Sequence, residues 1–299
     1  MPVGIDPDSF YIDRVLRTGE YLELQYEGMF LEIANFWSHL VPDDVLFYLV
    51  RGTYLSVALF LLISLARAWG WGFLFPYICI LAPTHIYIQF RFALMSLLIF
   101  VFCRYMMEAR YRTAAMFCIS AAFAHTSGIL FCSLAIGLFA FYKVIDKGNQ
   151  VYITAAIIVG ALAIQFVTYS SLQSILLSLM SEDFIAKYHH YAFRDYGQGN
   201  FIASAYIVMG CTFLCGLFGS VSRNGVFRND HYGDLMVILF ISLCIFITFP
   251  IQTLHIRAFQ VGIIMIIVIQ NRRVTNDFKY VYQYVFPGLF AFNELLNYL

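Results

Sequence analysis

The chain has 299 residues, of which 61% are hydrophobic and 12% charged, and its mean hydropathy is +0.76. A soluble domain carries about 25% charged residues, so the polar surface here is too small to solvate a water-facing fold. Lys and Arg number 18 and Asp and Glu 18; without a basic field, nucleic acid is not a partner.

Residues 1–44 are polar and acidic, without the basic and apolar regions of a secretory signal. Acidic character suits the outside of a membrane, and it implies a further apolar helix upstream. Apolar segments follow near 45–66, 71–83, 86–103, 113–142, 151–169, 201–221, 235–251, 256–270 and 281–299. A span needs about 20 residues to cross about 30 Å of hydrocarbon, so 71–83 must be tilted or half-buried. The stretch 113–142 is longer than one span and contains AHTSG at 124–128, which predicts two shorter helices meeting at that break. The fold class expected is all-α, a polytopic transmembrane bundle with about 8–10 membrane segments, some short or broken. It is read as one integral membrane domain over 1–299, with external pieces at 1–44 and 170–200.

The positive-inside tendency gives an alternation of sides. Arg67, Arg104, Arg110, Arg112, Lys143, Lys147, Arg223, Arg228, Arg272, Arg273 and Lys279 fall inside. Arg14, Arg17, Arg51, Arg91, Lys187, Arg194 and Arg257 fall outside or at outer helix ends.

Ionisable residues at those outer ends carry what chemistry the sequence offers. Arg91 lies inside an apolar run, THIYIQFRFALM, where a charge near the bilayer centre costs about 2.5 kcal/mol or more. Snorkelling to the headgroups, a structural ion pair or an anion site would each compensate it. His125 interrupts small and apolar residues at the outer tip of the helical pair, as a packing residue or as a group for proton transfer or hydrogen bonding. His255 and Arg257 stand at the mouth of a late helix after Pro250. Two arginines at one depth, Arg91 and Arg257, suggest a shared site for a diphosphate, whose oxygens suit bidentate guanidinium bonds.

The loop SEDFIAKYHHYAFRDYGQGN gathers Lys187, His189, His190, Arg194 and several tyrosines. Such a mixture fits sugar and phosphate contacts, and equally an interfacial helix with Tyr at headgroup depth. No Cys or His array has metal-ligand spacing, and the seven Cys read as small packing residues. A carboxylate among Asp6, Asp8, Asp13, Glu23, Glu27 and Glu32 would be available as a base, and the spacing selects none of them.

Several of these pieces, in order, resemble the EpsG family of polysaccharide polymerase-like membrane proteins, related in role to Wzy O-antigen polymerases. They are Gly4, Asp6 and Tyr11; Glu27, Gly28 and Phe30; Arg91 with Ala93; His125 with Ser127; the KYHHY loop; and Arg257. The chain departs from the family pattern at the first arginine motif, where Gln89 precedes Arg91 and Phe92 follows it.

The resemblance implies a metal-independent, cofactor-free glycosyltransferase of the bacterial cytoplasmic membrane, multi-pass, with its site facing outside. Its partners would be polyprenyl-diphosphate-linked glycan donor and acceptor, membrane lipid and a chain-length regulator. Arg91, His125 and Arg257 would be catalytic, and Lys187, His189, Arg194 and His255 would bind substrate. A flippase for lipid-linked sugars, an O-antigen ligase and a non-catalytic scaffold of an assembly complex are the other readings weighed.

Overall fold

The computed structural model describes residues 28–82 and 90–144, together with helical positions at 237, 240, 241, 244, 258, 260–265, 267–269, 284, 285, 287 and 288. The described residues are 92% helical and contain no strand. Two of their helices are long and apolar enough to cross a membrane, and the chain divides into two compact units, Met1–Ser133 and Leu134–Leu299.

In the first unit, helix α1 (Gly28–Ser38) lies within the polar leader and buries Phe30 and Ala34. Its last turn is pinned to the next helix by the Trp37 indole N–H, which donates to Thr53 Oγ1 at 2.9 Å. Helix α2 (Asp43–Trp69) begins after the extended Pro42, carries Asp43 and Asp44 in its first turn, and has Arg67 in its last. This charge order complements the helix dipole. Gly70, at φ 92°, ends the helix in a backbone region that costs glycine nothing.

The 27 residues of α2 span roughly 40 Å at 1.5 Å per residue, enough for a bilayer. Leu46, Phe47, Val50, Tyr54, Ala58, Leu61 and Leu65 form one buried stripe along it. The opposite side, with Tyr48, Leu59 and Phe60, is apolar and exposed.

A short 3-10 turn (Trp71–Phe73) leads into α3 (Leu74–Ile80), which buries Pro76, Tyr77 and Ile80 and exposes Phe75 and Ile78. Seven residues make a helix of roughly 10 Å. The segment expected to be tilted or half-buried is thus a short helix with one face buried.

Helix α4 (Phe90–Met107) is the centre of this unit. Nearly all of its side chains are buried, Arg91 and Ser96 among them, and the Ser96 hydroxyl donates to the Phe92 carbonyl at 2.8 Å. Ring contacts fix its direction: Phe90 meets Tyr54 and Phe47 near the start of α2, while Phe100 meets Trp69 at its end. The two long helices are therefore parallel. Arg67 and Arg104 lie at one end, and Asp43 and Arg91 at the other.

The chain then reverses over Glu108–Arg110. Ala109 takes φ 58°, the Arg110 N–H donates to the Tyr105 carbonyl at 2.8 Å, and Glu108 pairs with Arg104 at 2.9 Å and Arg110 at 3.8 Å. A left-handed residue closing the last turn is the usual way to satisfy terminal carbonyls.

Helix α5 (Tyr111–Ala124) returns antiparallel to α4, as the stacked rings of Tyr105 and Phe117 show. Its buried face consists of Ala114, Cys118, Ala121 and Ala124. Small residues at this spacing let another backbone approach closely. Helix α6 (Thr126–Val144) begins two residues after α5 ends, so the break lies at His125, inside AHTSG.

In the second unit, Val237, Phe240, Ile241 and Cys244 are buried at helical spacing. Gln260–Ile269 is an apolar helix with buried side chains, and the Gln260 Oε1 has no hydrogen-bond partner among the described residues.

Candidate functional site

Three elements bring ionisable and aromatic groups to one end of the first unit: the start of α4, the start of α1 and the α5–α6 break. Arg91 sits in the first turn of α4 with only 7% of its surface exposed. Its guanidinium lies over the ring of Phe30, 5.6 Å from the centroid. Phe30 is buried and also meets Tyr54. An arginine over an aromatic face is held by the ring quadrupole, worth up to about 2 kcal/mol when desolvated.

The residue after Arg91, Phe92, meets the α5–α6 break, its ring standing edge-on to the His125 imidazole with centroids 6.1 Å apart. The start of α1 is close by, since a Cβ on Gly28 would lie 3.3 Å from Phe123 on the last turn of α5.

His125 is extended, at φ −160° and ψ 143°, and joins the two helices through its backbone and its ring. Its N–H donates to the Ala121 carbonyl at 3.3 Å, and its carbonyl accepts from Gly128 at 2.8 Å. The ring does what an Asn or Asp does at a helix start: Nδ1 accepts the backbone N–H of Ser127 at 3.1 Å. Ser127 Oγ lies 2.8 Å from the same nitrogen.

A backbone N–H can only donate, so Nδ1 is an acceptor and the neutral ring carries its proton on Nε2. In this tautomer the imidazole offers an N–H at Nε2, suited to an anionic oxygen. It does not offer a basic Nε2 to a hydroxyl.

Gly128 makes the break possible. A Cβ at this position would fall on the Ala121 carbonyl and on the neighbouring backbone of α5, at 2.1 Å from the oxygen. Only glycine lets α6 start so close to α5, and that closeness fixes where His125 stands.

Of the site residues expected from sequence, Arg91 and His125 come to the same end of one unit, His125 against Phe92, the residue that follows Arg91 in the first turn of α4. Arg257, His255, Lys187, His189 and Arg194 lie outside the described residues. Sequence reasoning gave no role to Phe30 as a partner of Arg91, or to Ser127 and Gly128 as the frame of His125. The signal for the latter was the run His-Thr-Ser-Gly itself, whose last two residues suit a tight helix start.

Among the described residues no group of three or more His, Cys, Asp or Glu is placed to hold a metal ion. A buried guanidinium and an imidazole with its proton on Nε2 stand at the same end of the unit, and both are groups whose chemistry suits an anionic oxygen. No family model, curated protein or solved structure matches this chain.

Proposed function

We propose that this chain is a polytopic glycan polymerase of the bacterial cytoplasmic membrane, joining polyprenyl-diphosphate-linked repeat units at the outer face. The observation that carries the reading is the buried guanidinium of Arg91, stacked on Phe30 in the first turn of the central helix. Burying an arginine at a helix mouth is costly, and departure of a lipid diphosphate creates the negative charge that such a group stabilises.

In this reading His125 makes the second contact, and its tautomer supports that role. Its Nε2–H donates to a diphosphate oxygen while Nδ1 stays committed to capping α6. Arg257, as a second cation, and His255, Lys187, His189 and Arg194, as sugar or phosphate contacts, enter this reading from the sequence and the family resemblance. Arg67, Arg104, Arg110 and Arg112 stand at the end opposite Arg91, which favours that end as cytoplasmic and supports an outward-facing site.

The test is complementation of a strain lacking the gene, scored on the surface-glycan ladder. Wild type restores long chains, whereas Arg91→Ala leaves single repeat units with the protein still inserted. His125→Asn keeps an acceptor for the Ser127 N–H and a normal protein level, yet shortens the chains; His125→Ala also loses protein, since a cap is worth about 1 kcal/mol. A normal ladder from Arg91→Ala would remove Arg91 from the mechanism. Lipid-linked units accumulating on the cytoplasmic leaflet of the null strain would replace the polymerase with a transporter.

A further inference from the structure

The α5–α6 hairpin carries a second chemical feature two helical turns below its tip. Cys118 and Cys132 stand equally far before and after His125, on opposite arms, with their sulfur atoms 2.9 Å apart. The Cys118 thiol points to Cys132 Sγ, and the Cys132 thiol donates to the Cys118 carbonyl. Both side chains are buried, and both cysteines are reduced.

This proximity follows from the backbone. Gly128 presses the first turn of α6 against Ala121, and one turn further from the tip on each arm the facing positions are Cys132 and Cys118. The small residues Ala114, Cys118 and Ala121 form the buried face of α5, so no bulky side chain separates the arms there. Two sulfurs held this close need a shift of only about 1 Å to reach bonding distance.

We propose that Cys118 and Cys132 are an oxidisable pair that closes to a disulfide tying together the two arms that carry His125. Both S–H bonds break and one S–S bond forms; the two protons and two electrons pass to a disulfide-bearing thiol oxidant, which is reduced to its dithiol. In vitro the same two electrons and protons are taken by diamide, whose N=N bond becomes a hydrazine. The cross-link would hold the Ser127–His125 frame in one geometry by closing a short loop around it. The inference rests on the hairpin alone and is independent of the polymerase reading.

Trypsin cleavage after Arg112 and Lys143 releases both cysteines in one peptide that contains no other cysteine, so the experiment has a direct readout. The full chain in lipid or mild detergent is treated briefly with diamide, quenched with iodoacetamide, unfolded, alkylated again and digested. The expected result is a peptide lighter by two hydrogen atoms and unalkylated in the folded chain, formed several-fold faster than in chain unfolded by detergent before treatment. In the Cys132→Ser chain, Cys118 should remain available for alkylation after unfolding. A peptide alkylated at both cysteines after treatment of the folded chain would overturn the proposal. So would equal oxidation rates in folded and unfolded chain, or Cys118 joined to another cysteine.

Discussion

Helices α2 and α4 pass the same test of length and hydropathy, yet they occupy different environments. In the most apolar stretch of α2, 28% of residues are buried, against 78% for α4. Helix α2 turns one stripe to its neighbours and leaves an apolar face bare; α4 is buried around nearly its whole circumference. The difference teaches where a charge can be kept. An arginine on the bare face of α2 would have no protein over it, whereas Arg91 in α4 is buried against Phe30. Enclosure by protein turns an apolar helix into the wall of a polar site.

The comparison is broken most severely at matched phenylalanines. Phe100 is fully buried against Trp69 and Phe73, so Phe100→Ala should cost about 3–5 kcal/mol, read as thermal unfolding in detergent. Phe60 on the exposed face of α2 should tolerate the same change within about 0.5 kcal/mol. Equal losses would mean that protein also covers the outer face of α2.

Next in size is Gly128→Ala, which drives a methyl group into the backbone of α5. A loss near about 3 kcal/mol, the upper end for overpacking, is expected by the same measurement. An unchanged unfolding temperature would show that the hairpin arms are not pressed together. The smallest effect belongs to Phe30→Leu, which preserves bulk under Arg91 and removes the ring face. It should cost about 0.5–2 kcal/mol, separable from simple packing because the loss should shrink in an Arg91→Met background.

Much of this arrangement is legible in the sequence. A run too long for one span, broken by AHTSG, announces two helices with His125 between them, and the shortness of 71–83 announces a tilted or half-buried piece. Both are consequences of helix rise and of the local preferences of Ser and Gly. The placement of Arg67 and Arg104 at one end and Arg91 at the other can also be anticipated, since alternation along 45–66, 71–83 and 86–103 runs the first and third segments in the same direction.

What composition conceals is pairing between distant segments. The polar leader reads as an external piece, yet Gly28–Ser38 folds into a helix that lays Phe30 under Arg91, because two apolar residues one turn apart suffice to dock a short helix. Likewise Cys118 and Cys132 read singly as packing residues, and only the Gly128–Ala121 approach reveals them as a pair. Ala109 at φ 58° gives no warning either, since its left-handed turn is closed by backbone bonds and flanked by the Glu108 ion pairs.

The central claim is that the Arg91 end of the first unit stabilises a departing lipid diphosphate. Its most direct test uses the purified full chain in lipid bilayers, supplied with polyprenyl-diphosphate-linked repeat units, with free polyprenyl diphosphate and glycan length both measured. The account predicts release of lipid diphosphate in step with chain growth by wild type, and neither by the inserted, folded Arg91→Ala chain. Equal release and equal chain length from both would contradict it.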